Sequence, residues 1–259
     1  MSIHQFAVVS PDAKIGKDVQ IGPFVTIDGN VEIGDGTIID SNAVIRSGAR
    51  IGRNCHIHSG AVVSDVPQDL KFKGEDTIAV VGDNTVIREF VTLHRGTASK
   101  GKTVIGSNCL IMAYCHVAHD CNLGDHVIMS NSAQLAGEVV VGDWAVIGGG
   151  ALIHQFTRIG QHVMLQGGSL VNKDLPPYVM VGRYPISYEG VNSVGLHRRG
   201  FSEEQINTIQ NVYRMLYLSR LNTTEALNKI VAEMPESDER NIIVDFVRAS
   251  KRGIVRMGI

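Results

Sequence analysis

Aromatic residues are scarce in this chain, 5% of the total with a single tryptophan, so its interior cannot be built around large rings. Charge of one sign is scarce too. The formal net charge is −2, which removes the overall basic field expected of a nucleic-acid-binding protein. No run approaches the ~18 consecutive apolar residues that a membrane span needs. The start, Met1-Ser2-Ile3-His4-Gln5-Phe6, has no basic segment followed by an apolar run. No signal peptide and no stable membrane insertion are therefore expected, and the expected location is the cytoplasm. A Gly-x-Ser-x-Gly nucleophile elbow is missing, and none of the four cysteines stands in Cys-x₂-Cys spacing. Glycine is plentiful, 28 of 259 residues, as in a chain with many tight turns.

The dominant pattern is a strict period of six. Counting from Ile3 in steps of six reaches 29 positions as far as Val171, and 26 of them are aliphatic or Met. Neither helical periodicity nor simple strand alternation gives that spacing. A fixed short repeat marks a solenoid, and hexapeptides mark a parallel β-helix. The residue after the aliphatic one is often glycine (Gly16, Gly22, Gly34, Gly52, Gly106, Gly124, Gly142). The residue two before it is small or β-branched (Ala13, Val19, Val25, Ala43, Ala49). Each hexapeptide is then a short flat strand plus a corner, and three of them close a triangular coil of 18 residues. Coils stack at about 4.8 Å, with aliphatic ladders inside.

The exceptions, Asp69, Glu75 and Ser99, fall in two polar stretches, after which the register resumes. They predict loops ejected near 66–78 and 95–103, the places where a rigid scaffold carries binding residues. Cys55, Cys109, Cys115 and Cys121 all occupy the small-residue slot, so they are packing residues, and free thiols fit a reducing compartment. The prism is expected over 1–178, followed over 179–259 by a linker and a small helical domain. Ser202-Glu203-Glu204-Gln205 is a capping box ahead of a helix with Ile206, Ile209, Val212, Tyr213, Leu216 and Tyr217 on one face. Further helices are predicted from Thr223 to Met234 and from about Ser237.

Chemistry on such a scaffold must lie outside its core. His126 and His162, two coils apart with Trp144 midway, predict a stacked surface column. His56 and His58 flank a core Ile. His116 and His119 stand out because Asp120 follows His119 and can fix its tautomer. Adding 18 to 119 places Gly137, with an unshielded N–H, one coil above, and adding 36 places Gln155 beside His154. A general base beside an exposed amide donor is the minimum equipment for acyl transfer to a hydroxyl. A satisfied surface histidine pair remains open at this point, as does a metal site using His116, His119 and His154. Arg198 and Arg199, just before a helix, suit a phosphate or carboxylate, although on the residues alone a solvated basic turn is the commoner meaning of such a pair.

Taken together, the hexapeptide array, Gln68-Asp69-Leu70-Lys71, Ile87-Arg88-Glu89 with Thr92-Leu93-His94-Arg95-Gly96-Thr97, His116-Val117-Ala118-His119-Asp120-Cys121, Leu135-Ala136-Gly137, His154-Gln155-Phe156 and Gly190-Val191-Asn192 with Arg198-Arg199-Gly200-Phe201 resemble the UDP-N-acetylglucosamine O-acyltransferases of lipid A synthesis. The resemblance spans essentially the whole chain. It implies an all-β solenoid, a left-handed parallel β-helix with a C-terminal helical domain, assembled as a homotrimer with active sites between neighbouring prisms. It implies transfer of an R-3-hydroxyacyl group from acyl carrier protein to the 3-hydroxyl of the glucosamine unit of UDP-GlcNAc, with no metal or organic cofactor. His119 matches the family's general base, Asp120 its orienting partner and the Gly137 N–H the oxyanion donor. Asp69 and Lys71 match loop residues that hold the sugar and its phosphates, and His116, His154 and Gln155 match residues around the acyl and sugar groups. Asn192 and Arg199 match nucleotide contacts, Arg198 is a candidate for the acidic carrier, and Gly167 matches the residue that gauges acyl length. Two departures are visible. Glu138 stands after Gly137 where many members carry His, and the run 181–188 differs in length, so no sugar contact is carried over there. An N-acyltransferase acting on an amino sugar, a metal-dependent hydratase and a non-catalytic scaffold are the competing readings.

Overall fold

A computed structural model describes residues 1–258. Twenty-six short strands wind through three parallel sheets, each strand pairing with the one a full turn away along the chain. Within regular coils the register is the 18-residue step, as in Ile21 against Ile39 and Met129 against Ile147. Two loops stretch the step. Ile57 pairs with Ile87 across loop 66–77, and Leu93 pairs with Val117 across loop 95–101. The inward residue of each hexapeptide is buried. Ile57, Ile87, Ile111, Met129, Ile147 and Leu165 form one wholly buried ladder under the first sheet. Truncation there leaves a void that a rigid stack of coils cannot close, so Ile111→Ala should cost about 2–5 kcal/mol, read as a lower denaturant midpoint.

The corners are tight. Asn54, Asn84 and Asn108 adopt left-handed backbone at one of them, with φ between 53° and 57°, a conformation asparagine tolerates. Higher on the same edge the position passes to His126, Trp144, His162 and Tyr178, and their rings stack with centroids 3.8, 6.4 and 5.6 Å apart. The column read from the sequence is thus real. Each cysteine fills its coil and directs its thiol to a backbone carbonyl of a later coil, for example Cys121 Sγ to Ala136 O at 3.2 Å.

Beyond Val171 the count of six stops, but the chain keeps pairing with the prism. Leu175 bridges Ile159, and Val179–Gly182 pairs parallel with Met164–Leu165, so the prism gains further backbone. Here Leu165 faces Val181, a step of sixteen residues, and the shortened step hides the continuation from a count of six. Ser187–Val191 then returns antiparallel. Four helices follow: α1 (Ser193–Arg198), α2 (Glu203–Leu218), α3 (Thr223–Glu233) and α4 (Asp238–Arg248). The Ser202–Gln205 capping box forms as written in the sequence, and a second one, Asn222–Glu225, opens α3. α1 is too short to show periodicity. The Tyr213 hydroxyl ties α2 to the prism end through Pro177 O at 2.5 Å. Among the described residues no helix is long and apolar enough to cross a membrane.

Candidate active site

His116 and Val117 form one short strand of the second sheet, with His116 outward and Val117 in the core. The corner that follows carries Ala118, His119 and Asp120. Asp120 takes the left-handed conformation (φ 61°), and Glu138 repeats it one coil above (φ 60°). This backbone turns the Asp120 carboxylate under loop 95–101, where it is fully buried. Its oxygens accept from Thr97 Oγ1 at 2.6 Å, Thr97 N at 3.0 Å, Lys100 N at 3.3 Å and His119 Nδ1 at 2.8 Å. Burial alone would raise the carboxyl's pKa. The Thr97 hydroxyl, His119 and the Thr97 N–H outweigh it and hold Asp120 below its ordinary range.

That carboxylate fixes His119. With Nδ1 spent on Asp120, the free ring nitrogen is Nε2, which lies against the next coil at Gly137. A Cβ built on Gly137 would stand 2.6 Å from both Nε2 and Cε1 of His119. Glycine is required there by the imidazole rather than by its backbone angles. The neighbouring amides are spent in the coil ladder, Ala136 N on Ile153 O and Glu138 N on His119 O.

His116 is a wall of a different kind. Burial first, and the neighbouring His94 second, push its pKa down to about 4, and its Nδ1 meets Thr92 Oγ1 at 2.7 Å. It is a neutral ring at pH 7. His94 packs edge-on to it with centroids 4.8 Å apart, is itself buried, and has an Nδ1 without a hydrogen bond among the described residues. His94 and Thr97 were missed as site residues by spacing. The six extra residues of loop 95–101 put Thr92, not residue 98, beside His116. Counting the register across the loop would have found His94, whereas no periodic signal marks Thr97.

Glu138 is tied to the same loop, accepting from Ser99 Oγ at 3.1 Å and pairing with Lys100 Nζ at 3.5 Å. Where the resemblance leads one to expect His, this chain has a clasp on the cover of Asp120. The buried Thr97–Asp120 bond gives a stability prediction. Asp120 titrates lower in the fold than unfolded, so its stabilisation is present above the unfolded pKa and lost as pH falls through the folded one. Thr97→Val should therefore cost about 1.5–3 kcal/mol at neutral pH, the usual worth of a hydrogen bond to a charged group, and progressively less in acid. Urea unfolding at both pH values measures it.

The other candidates lie elsewhere in the chain. His154 is exposed and turns Nδ1 to Gln155 O at 3.0 Å and to Arg252 at 3.2 Å, and Gln155 is exposed beside it. Among the described residues of a single chain, His116, His119 and His154 do not converge. Asp69 closes a turn on Lys71 N at 2.9 Å, and the Lys71 side chain is exposed. Gly167 lies on the corner after the first sheet, where a Cβ would meet Gly149 O at 2.9 Å. Asn192 is held within the chain. It is 6% exposed, its Oδ1 caps α1 through Gly195 N at 3.2 Å, and its Nδ2 donates to His162 O at 2.9 Å. It is a strut between the helical domain and the prism. Arg199 packs over Trp144, 5.3 Å from the ring centroid, and its Nη1 is buried without a hydrogen bond among the described residues. A desolvated cation with an unused donor is a ready anion site. Arg198 is exposed.

Comparison with known proteins settles what this frame belongs to. A family model for bacterial transferase hexapeptides matches residues 30–65 and 102–137, and one for domain 2 of UDP-N-acetylglucosamine O-acyltransferase matches 174–255. An acyl-(acyl-carrier-protein)–UDP-N-acetylglucosamine O-acyltransferase of Thermodesulfovibrio yellowstonii is 47% identical over 98% of this chain and 99% of its own. This chain belongs to the UDP-N-acetylglucosamine O-acyltransferase family. The crystal structure of the UDP-N-acetylglucosamine acyltransferase of Bacteroides fragilis superposes with a TM-score of 0.97 at 53% identity, covering 98% of this chain and all of that one. The Acinetobacter baumannii structure gives 0.96 at 41%, covering 99% and 100%. The fold is the left-handed β-helix of this acyltransferase family, the hand that the resemblance implied.

Proposed function

We propose that this chain transfers an R-3-hydroxyacyl group from acyl carrier protein to the 3-hydroxyl of the glucosamine unit of UDP-GlcNAc. The observation that carries this reading is one imidazole, His119, with Nδ1 held by a buried carboxylate and Nε2 set against the Gly137 backbone. Nε2 takes the proton of the sugar hydroxyl as its oxygen attacks the thioester carbonyl. The Gly137 N–H receives the developing oxyanion, and the Asp120 carboxylate stabilises the imidazolium. When the tetrahedral intermediate collapses, the C–S bond breaks and the imidazolium returns the proton to the departing thiolate. A thioester is already an activated acyl group, so the step calls on no metal or organic cofactor.

The remaining residues take roles around this pair. Asp69 and Lys71 hold the sugar and its phosphates, His116, His154 and Gln155 surround the acyl and sugar groups, and Arg199 offers its unused donor to the nucleotide phosphates. Arg198, exposed, faces the acidic carrier. Gly167 leaves the acyl groove open for a long chain.

The active unit is a homotrimer in this reading, with each site built between two prisms. Its support is positional. His119 lies on the corner after the second sheet, Gly167 on the corner after the first, and Arg199 against Trp144 on the corner after the third. One chain presents them to three different sides. Phe6 with Phe24, and Phe90 with Tyr114, form two exposed stacked pairs on the first-sheet corner, apolar surface that a neighbouring prism would cover. The enzyme works in the cytoplasm, where acyl carrier protein and a sugar nucleotide meet and where four free thiols persist.

The test is incubation of purified protein with a series of 3-hydroxyacyl carrier proteins and, side by side, UDP-GlcNAc and its 3-amino counterpart. Mass spectrometry should show an alkali-labile ester on UDP-GlcNAc. An amide formed preferentially on the 3-amino sugar overturns the choice of acceptor.

A further inference from the structure

A second cluster of histidines, unrelated to His119, lies on the corner after the first sheet. Asp40 sits in one coil, His56 and His58 in the next, and Glu89 in the coil beyond. Ile57 points into the core and so turns its two neighbours outward on the same edge. Their rings lie face to face, centroids 3.9 Å apart. His56 Nε2 is 2.9 Å and His58 Nδ1 is 3.3 Å from one and the same oxygen, Asp40 Oδ2. On its other side His58 Nδ1 is 3.7 Å from Glu89 Oε1. Arg88 forks Glu89 through two bonds of 2.9 Å, which leaves two carboxylates and one guanidinium around the imidazoles.

We propose that Asp40, His56 and His58 form a three-ligand binding site for a divalent transition-metal ion of the zinc class, with water completing the tetrahedron and the Arg88-bound Glu89 alongside. Zinc takes imidazole nitrogen and carboxylate oxygen at about 2.0–2.2 Å, so donors at the corners of its tetrahedron stand roughly 3.3–3.5 Å apart. The 2.9 and 3.3 Å separations are already close to that edge. Two nitrogens with hard oxygens suit zinc, cobalt or nickel rather than calcium or magnesium. Among the described residues this is the one place where three such donors converge. In the single chain these side chains are between 19% and 35% exposed, so they are partly desolvated before any neighbouring prism packs on this corner. The β-helix brings the donors from successive coils into register, so little ordering is needed on binding. Without metal, Asp40 Oδ2 serves as a shared acceptor for the two rings.

The site has a structural consequence. Loop 66–77 leaves the prism just after the coil of His56 and His58, so an ion bound here would staple that coil to the Asp40 coil beneath it. The site stands apart from the acyl-transfer chemistry, and its test does not depend on activity.

Full-length protein, stripped of metal by dialysis against a chelator, is titrated with Zn²⁺ in competition with a chromogenic indicator of micromolar affinity. One ion per chain is expected. His56→Ala and His58→Ala should each lower its affinity by more than the roughly 10–100-fold that an outer-shell partner carries. His197→Ala, an exposed control, should leave the affinity unchanged. Asp40→Asn, nearly isosteric at a partly exposed position, keeps the test open if a histidine variant fails to fold, and should bind as weakly. Co²⁺ in place of zinc should give the intense visible absorption of a four-coordinate site, lost in Asp40→Asn. Zinc should raise the Tm of the wild type and not of Asp40→Asn. Binding no tighter than the indicator's, stoichiometric binding that survives both histidine variants, or a wild-type Tm unmoved by zinc overturns the proposal.

Discussion

His119→Ala should lose about 10²–10⁴-fold in turnover, the span of a positioned general base, with the KM for the sugar nucleotide little changed. The split follows from the geometry. The imidazole has one nitrogen committed to Asp120, and what it has left to offer is proton transfer, which matters in the transition state. No neighbour can take over. His116 is the nearest substitute in sequence, but burial holds its pKa down to about 4 and its Nδ1 is engaged by Thr92. Thr97 and the Lys100 N–H would still hold the Asp120 carboxylate, so the corner should stay folded. Release of carrier thiol, followed across a range of acceptor concentrations, measures both constants. Turnover near that of the wild type would remove His119 from its role.

Gly137→Ala should be nearly as damaging, although it adds a single carbon far from His119 in sequence. Its backbone is not in the glycine-only region, so the coil can accept alanine. The imidazole cannot. A Cβ 2.6 Å from Nε2 and Cε1 must push the ring away from the amide it faces, and the ring is held from behind by a buried carboxylate. The outcome is a base displaced from its oxyanion donor. A loss of about 10²–10³-fold in kcat is expected, the cost of removing such a donor. Circular dichroism and Tm should stay near wild type, which separates a misplaced base from a misfolded coil. Unchanged kcat in a folded variant would place the oxyanion elsewhere.

Much of the fold was legible because the hexapeptide pattern repeats one decision many times. Ile27, Ile45 and Val63 each read as core, and each is buried. Legibility ended where the count changed. The step of sixteen that pairs Leu165 with Val181 made a continuing sheet read as linker, and α1 spans too few residues to show a period. At the site, Gly137 came from adding one coil to His119, and the structure places it against the ring. Thr97 could not be found that way, because an ejected loop carries no register. Asn192 fell on the other side of the same limit. Only coordinates show its amide bonded to Gly195 N and His162 O. Exposure of Lys71 and the unused donor of Arg199 were equally invisible in one dimension.

The ejected loops have a consequence for how this protein can change. Within the prism, every residue's orientation is set by its place in a count. A single residue inserted there would turn all later side chains inside out, and only whole coils can be added or lost without penalty. Loops 66–77 and 95–101 fall outside the count. One carries Asp69 and Lys71, and the other caps Asp120 through Thr97 and Lys100. Length is thus rigidly quantised through the regular coils and free at these two loops, as it is again beyond Leu165, where the step shortens. New specificity in such a chain has these places to grow, and an alignment of its descendants should show gaps there first.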